Sequence, residues 1–191
     1  MPVEPRAPRA DAQRNRDRIL AEAAAVVAEQ GTQASLRDVA RRAGIGLGTL
    51  YRHFPTREDL LEALLGARFD HLAARADTLA AADLSAEAAL ADWLHEFVLG
   101  AGAFRGLPAT LLAALHDPDS GLHGSCLRMR QAGGRLLAAA QRDGVIRPDV
   151  EPVDLFALAN ALSWVSDQAP VLAERRDHLF RLVLDGLRPR G

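Results

Sequence analysis

Lysine is absent from this chain of 191 residues: all 23 basic groups are arginine, set against 25 acidic ones. Schiff-base catalysis and phosphate loops built on a lysine are therefore excluded. The single cysteine, Cys126, can form no internal disulfide, and paired-cysteine metal motifs are equally excluded. A reducing, cytoplasmic setting is the expectation. No apolar run approaches the ~18 residues that a membrane span requires, and the opening Met-Pro-Val-Glu-Pro-Arg has no apolar core of signal-peptide length. Glycine-rich phosphate loops, a nucleophile elbow and paired metal-ligand motifs are missing too. His116, Asp119 and Ser120 lie across a Pro-Asp-Ser-Gly turn without the logic of a triad, so an enzyme is not expected.

Alanine (37) and leucine (30) far outnumber valine plus isoleucine (14), which favours helix nearly everywhere; no alternating strand pattern of useful length is seen. The net charge of −2 hides an asymmetry. Residues 1–57 carry ten arginines against six acids, a net of +4, and residues 58–191 carry thirteen against nineteen, a net of −6. A basic end of this kind is a weak hint of nucleic-acid contact. Residues 1–11 read as a flexible arm, with Arg6, Arg9, Arg14, Arg16 and Arg18 on or near it as solvated charges unless a polyanion is close.

The spacing predicts a first helix over 12–30, with Ile19, Ala23, Val26 and Val27 on one stripe and Gly31 as its stop. Ser35 stands three residues before Asp38, a capping-box spacing, and opens a helix of barely two turns that Gly44 ends. Leu47 to Phe54 forms another short helix stopped by Pro55, and Thr56 with Asp59 repeats the capping signal. Helices this short are marginal in water and require packing partners. Two short helices joined by a glycine turn on a longer first helix form a helix-turn-helix, whose second helix enters the DNA major groove. At 100° per residue, Leu47, Leu50 and Phe54 face inward, Gly48 and Arg52 face outward, and Thr49 and Tyr51 flank them. The outward face offers a guanidinium for guanine, a threonine for a base edge, a tyrosine, and a glycine that blocks nothing.

The run Ser35-Leu-Arg-Asp-Val-Ala-Arg-Arg-Ala-Gly-Ile-Gly-Leu-Gly-Thr-Leu-Tyr-Arg-His-Phe-Pro-Thr-Arg-Glu-Asp-Leu60 resembles the N-terminal domain of TetR-family transcriptional regulators of bacteria, over roughly residues 12–65. The resemblance implies an all-α homodimer: a three-helix DNA-binding domain over 12–57, then a ligand-binding and dimerisation domain over 58–191. It also implies that a small molecule bound in the second domain weakens operator binding, the behaviour of a repressor. Gly46 stands where the family often has a serine cap, at a cost of only a few tenths of a kcal/mol. The resemblance places Leu47, inward by spacing, and Gly48 at groove-facing positions that often carry polar residues, which implies that base reading falls on Thr49, Tyr51, Arg52 and Arg37, with His53 beside them. Free N–H groups at Ser35 and at Thr56-Arg57, with the charges of Arg37 and Arg57, form phosphate sites.

Further helices are expected over 57–81, 85–103, 108–116, 118–142, 152–168 and 171–187. Trp93, Phe97 and Phe104, then Leu111 and Leu115, then Leu122, Cys126 and Met129 recur at helical spacing. Such stripes are ordinary core unless they enclose a cavity; the resemblance places a ligand pocket among them, which would take a largely apolar effector anchored by His116, Asn160 or Trp164. Gly133-Gly134 inside a helix costs roughly 1 kcal/mol per glycine and points to close helix approach, a kink or a hinge. A metal triad of His116, His123 and Cys126 is set aside because Pro118 and Gly121 interrupt its spacing; no cofactor is expected. Leu155, Leu158, Leu162 and Val165 follow 3-4-3 spacing, and with Leu179, Leu182 and Val183 are the expected dimer surface. A pseudo-palindromic double-stranded operator then follows from two recognition helices one DNA turn or its multiples apart. The alternatives are a ligand-binding helical scaffold that no longer reads DNA and, more remotely, an all-α enzyme.

Overall fold

A computed structural model describes residues 8–104, 106–168 and 170–189. The described residues form ten α-helices and no strand: α1 (Pro8–Gln30), α2 (Leu36–Arg42), α3 (Leu47–His53), α4 (Arg57–Ala80), α5 (Ala86–Ala101), α6 (Ala109–His116), α7 (Gly121–Arg142), α8 (Pro152–Gln168), α9 (Pro170–Glu174) and α10 (Arg176–Leu187). Short 3-10 turns follow α1 at Gly31–Gln33 and α5 at Gly102–Phe104. The first helix begins at Pro8, which corrects the expected arm over 1–11 at its last four residues. Proline in a first helical turn has no partner for its missing N–H and a φ already suited to helix, so it starts the helix there. Residues 1–7 of that arm, Arg6 among them, lie outside the described residues.

Two apolar cores divide the molecule. The first gathers Ile19, Ala23 and Val26 of α1, Val39 of α2, Leu50 of α3, Phe54, and Leu60, Leu61, Leu64 and Leu65 of α4. Leu111 of α6 and Leu122 of α7 are buried in it as well. The second gathers the end of α4 with α5, α7, α8 and α10. Phe69 packs against both. Residue 57 therefore marks the start of α4, while the first core continues two turns further and hands over to the second around Phe69.

Local chemistry accounts for most helix ends. Gly44 takes φ +63°, the left-handed region that ends α2 and turns the chain into α3. Thr56 and Asp59 close a complete capping box: Asp59 N–H donates to Thr56 Oγ1 (3.0 Å) and Thr56 N–H donates to Asp59 Oδ2 (2.8 Å). At α2 the box is only half built. Ser35 Oγ accepts from Asp38 N–H (3.4 Å), but Ser35 N–H donates to Gln30 Oε1 (3.1 Å), so the glutamine at the end of α1 does the reciprocal work. Its amide also donates to Asp38 (3.3 Å), the first of the contacts that hold that carboxyl below its ordinary range, Arg41 being the next.

The last expected helix, 171–187, is broken at Arg175 into α9 and α10. No proline or glycine marks the break. It lets α10 turn to bury Phe180 and Leu187 in the second core while Val171 of α9 stays exposed, a decision of packing over propensity. The start of the expected helix at 118 also moves, to Gly121, because Ser120 caps it by accepting from Leu122 N–H (3.1 Å).

Gly133 resolves into close helix approach. Trp93 of α5 is fully buried, donates its indole N–H to the Leu72 carbonyl (2.8 Å) and lies where a Cβ on Gly133 would meet its ring at 2.4 Å. A Cβ on Gly134 would meet Pro152 at 3.4 Å, so the start of α8 lies on the same stretch of α7. Gly133→Ala should destabilise the protein by about 1–3 kcal/mol through overpacking against an immobile indole, read as a lower urea midpoint at unchanged m value. Gly134→Ala, with its neighbour at ordinary contact distance, should cost less.

Candidate DNA-binding surface and effector cavity

The first core dictates what α3 shows to the outside. Leu50 and Phe54 are buried completely and Leu47 is half-buried against the same cluster. That rotation leaves Gly48, Tyr51 and Arg52 exposed, with Thr49 half-buried at their edge. Arg52 lies along its own helix: Nη2 donates to Thr49 Oγ1 (3.0 Å) and Nε to the Gly48 carbonyl (3.3 Å). The two side chains expected to read bases thus form one hydrogen-bonded unit, with most guanidinium N–H groups still unspent. His53 is half-buried, its ring tilted beside Phe54 at 6.4 Å between centroids.

Flanking residues are held by contacts between elements. Arg57 at the start of α4 donates to Gln33 Oε1 (3.0 Å), and Arg37 on α2 is exposed, as is Thr56. Ser35 is half-buried with its hydroxyl committed to capping α2. Arg42 clasps Glu29 with both Nη atoms, and this hydrogen bonding holds the Glu29 carboxyl below its ordinary value. Arg16 is no solvated arm residue: its guanidinium sits 4.6 Å over the Phe54 ring and ties α1 to the end of α3. Spacing along one helix carried no sign of that contact, because it joins residues 38 positions apart.

A cavity of about 600 Å³ opens among α4, α5, α6, α7 and α8. Of the expected pocket residues, Phe97, Phe104, Leu115, His116, Cys126, Met129 and Asn160 line it. Four do not. Trp93 is sealed in the second core with its N–H satisfied, Leu111 and Leu122 are buried in the first core, and Trp164 is 59% exposed, one turn beyond Asn160 on α8. Sequence reasoning missed Arg68 and Phe69 of α4, Arg130 of α7 and Phe156 of α8. Phe156 meets Trp93 and Phe97 edge-on at 6.0 and 5.7 Å and forms an aromatic wall with them. A signal for Arg68 existed: with Leu65 and Leu72 it falls at i, i+3, i+7 on an otherwise apolar stripe.

His116 and His123 each donate a ring Nδ1–H to a backbone carbonyl, of Leu112 and Leu115, at 2.8 Å. Although both line the cavity with Cys126, no group of three such side chains able to hold a metal occurs among the described residues. The cavity wall is shared with the DNA-facing module, for Phe104, Leu107 and Leu115 also pack on the first core. Nearby, buried Thr32, in the 3-10 turn after α1, donates its hydroxyl to the Gly106 carbonyl (3.1 Å) in the loop between α5 and α6.

The expected dimer seam splits in two. Leu155 and Leu162 are buried in the protomer's own second core, which corrects their assignment to a subunit interface: the stripe they follow faces Phe180 and Leu187. Leu158 and Leu182 are exposed, the latter at 53%, and Val165, Leu179 and Val183 are half-buried. Leu158 and Val165, one stripe of α8, and Leu179, Leu182 and Val183 of α10 thus keep apolar surface open, as does Trp164 further round α8. No described helix is long and apolar enough to cross a membrane.

Comparison with known proteins agrees with this architecture. Residues 19–64 match the family model described as bacterial regulatory proteins, tetR family, and residues 85–189 match that of the transcriptional regulator SbtR-like C-terminal domain. The chain is 37% identical to the TetR transcriptional regulator SCO0520 from Streptomyces coelicolor, with 92% of this chain and 99% of that one covered and a TM-score of 0.73. A TetR transcription regulatory protein from Mycobacterium vanbaalenii is 36% identical, with 96% and 100% covered and a TM-score of 0.69. The HTH-type transcriptional repressor KstR of Mycolicibacterium smegmatis is 26% identical over 182 residues, 91% of this chain and 89% of that protein.

Burial pushes the Cys126 thiol above its ordinary value, and the nearby charge of Arg130 only partly offsets it. A raised thiol pKa means less thiolate at any given pH. Alkylation of Cys126 by iodoacetamide at pH 8, followed by mass spectrometry, should therefore run several-fold slower than that of a free cysteine and accelerate as pH rises.

Proposed function

The chain belongs to the TetR family of bacterial transcriptional regulators, and from that premise we propose that it is a dimeric repressor which a small, largely apolar effector releases from a pseudo-palindromic operator. The protein is a DNA-binding regulator and not an enzyme. TetR regulators bind operators and dimerise. The observation that carries the reading is the outward face of α3, where Gly48, Thr49, Tyr51 and Arg52 stand free of a core that has taken Leu50 and Phe54. Arg52 reads guanine with a planar fork and Thr49 orients it; Arg37, Thr56 and Arg57 meet phosphates on either side. The direction of control rests on relatives: KstR is named a repressor.

Release follows from the shared wall. An effector occupying the cavity shifts α6 and the α5–α6 loop, and the first core and the Thr32–Gly106 hydrogen bond carry that shift to the module bearing α3. Only an effector that binds the DNA-free arrangement more tightly can do this, and the same coupling makes DNA weaken effector binding. Two recognition helices are brought to one operator by the outer face of α8 and α10, with Leu158, Trp164 and Leu182 as its apolar anchors.

Selection of bound genomic DNA by the purified protein tests operator reading directly, with an inverted repeat as the expected product. Arg52→Ala should cost about 1–3 kcal/mol on the selected operator and relax its sequence preference, whereas Arg57→Ala should weaken all DNA similarly and lower the salt slope by about one. Equal losses for Arg52→Ala on operator and random DNA would remove its base-reading role. Trp164→Asp combined with Leu182→Asp should give a monomer by light scattering, with operator affinity falling while effector binding persists. A stable dimer in that variant would place the interface elsewhere.

A further inference from the structure

The charge of the effector cavity is one-sided. Among the described residues, Arg68 and Arg130 are the arginines that line it, and no carboxylate does. A charge taken out of water needs a partner, and Arg68, the more buried of the two, has no full one. The side chain of Arg68 is only 23% exposed, and burial pushes its guanidinium below the ordinary value. It donates to the Glu96 carbonyl, but the nearest carboxylate oxygen, Glu96 Oε1, lies 3.8 Å from Nη1, beyond a hydrogen bond. That carboxylate is already engaged by His71 Nε2 at 2.6 Å and Arg75 Nε at 3.3 Å. The position of Arg68 is also built. Gly100 of α5 lies against it, and a Cβ there would meet the guanidinium at 2.2 Å, so a side chain at that position would displace Arg68 from its present place.

Arg130 stands on α7, with its Cζ 5.7 Å from the Phe156 ring, and no acid among the described residues pairs with it. The rest of the lining is mainly apolar, with Leu65, Phe69, Phe97, Phe104 and Met129 in it, and His116, His123 and Asn160 are its other polar groups. An effector without charge would leave the unspent N–H donors of Arg68 facing a desolvated, occupied cavity, with the exposed Arg130 adding positive charge to the same lining. One with a negative head would satisfy them with charge-assisted hydrogen bonds.

We propose that the effector is an organic anion, an apolar body with a single carboxylate or phosphate head taken by Arg68 and Arg130. This rests on the reading of the cavity as the effector site and refines it from apolar to amphipathic and acidic. A guanidinium fork takes either head bidentately, so the shared feature is a compact anion with at least two acceptor oxygens.

Calorimetric titration of the full chain with decanoate, decyl phosphate and decanol holds the ten-carbon body constant and changes only the head. At least one of the two anions should bind roughly tenfold or more tightly than decanol, and the tighter of them identifies the head. Arg68→Gln with Arg130→Gln should bring all three to within about twofold, with the affinity for decanol unchanged. Arg130→Gln alone, at an exposed position where folding is not at stake, should lower the preference by roughly threefold or more. Decanol binding as tightly as both anions, or an anion preference that survives the double variant, would overturn the proposal while leaving the cavity an effector site. Failure of all three probes to bind would overturn the effector-site reading, and the anionic head with it.

Discussion

The unbroken helix α4 contributes a run of residues to each apolar core, α7 reaches the first only through Leu122, and the remaining elements are arranged around the constraint that α4 sets. Its first two turns bury Leu60, Leu61, Leu64 and Leu65 against α1, α2 and α3, and its later turns bury Leu72, Ala76 and Leu79 against α5 and α7. A helix is stiff over this length, so the two cores cannot shift independently along it. Phe69, in contact with both clusters, sits at the handover and also lines the cavity. The complete capping box at Thr56 and Asp59 gives the helix a definite start, next to the arginine expected to touch phosphate.

The same constraint explains why the cavity lies where it does. Trp93 wedged against Gly133 draws α5 and α7 together on one side of α4, while the Gly102–Phe104 turn and α6 cross toward the first core on the other. The space left between these commitments is the cavity. Its polar groups come from four helices: Arg68 from α4, His116 from α6, Arg130 and His123 from one face of α7, and Asn160 from α8. Position on a shared wall is what allows a bound molecule to matter for α3, which does not itself line the cavity.

Near-zero net charge hides two different uses of arginine. In the first module Arg16 stacks on Phe54, Arg42 clasps Glu29, and Arg52 braces on Thr49, so part of the basic charge is structural before any DNA is near. In the second, Arg128 and Arg135 pair with Asp70 and Asp77 across α4 and α7, exposed ion pairs whose contribution to stability is small. Arg68 and Arg130 stand apart from both patterns, because they line a cavity and, among the described residues, Arg68 meets a carboxylate only at 3.8 Å and Arg130 none.

By itself the sequence determined the helix-turn-helix. Its signals are local: the Ser35 and Thr56 caps, the glycine turn at 44, the stop at Pro55, and an inward stripe that rotates Thr49, Tyr51 and Arg52 outward are all set by spacing within a few residues. Helical content and most helix boundaries of the second module were legible for the same reason. What tertiary structure alone decided are the features made by residues distant in the chain. Leu155 and Leu162 follow a seam-like spacing that reads equally as interface or as core, and only the placement of α10 turned them inward. Trp93 and Trp164 are alike in sequence terms, yet one is sealed against Gly133 and the other faces out. The cavity charge was hidden because Arg68 and Arg130 are 62 positions apart, on helices that only the packing of α4 on α7 brings to one chamber. Periodicity reports which face of a helix is apolar; what that face meets is settled by the other helices.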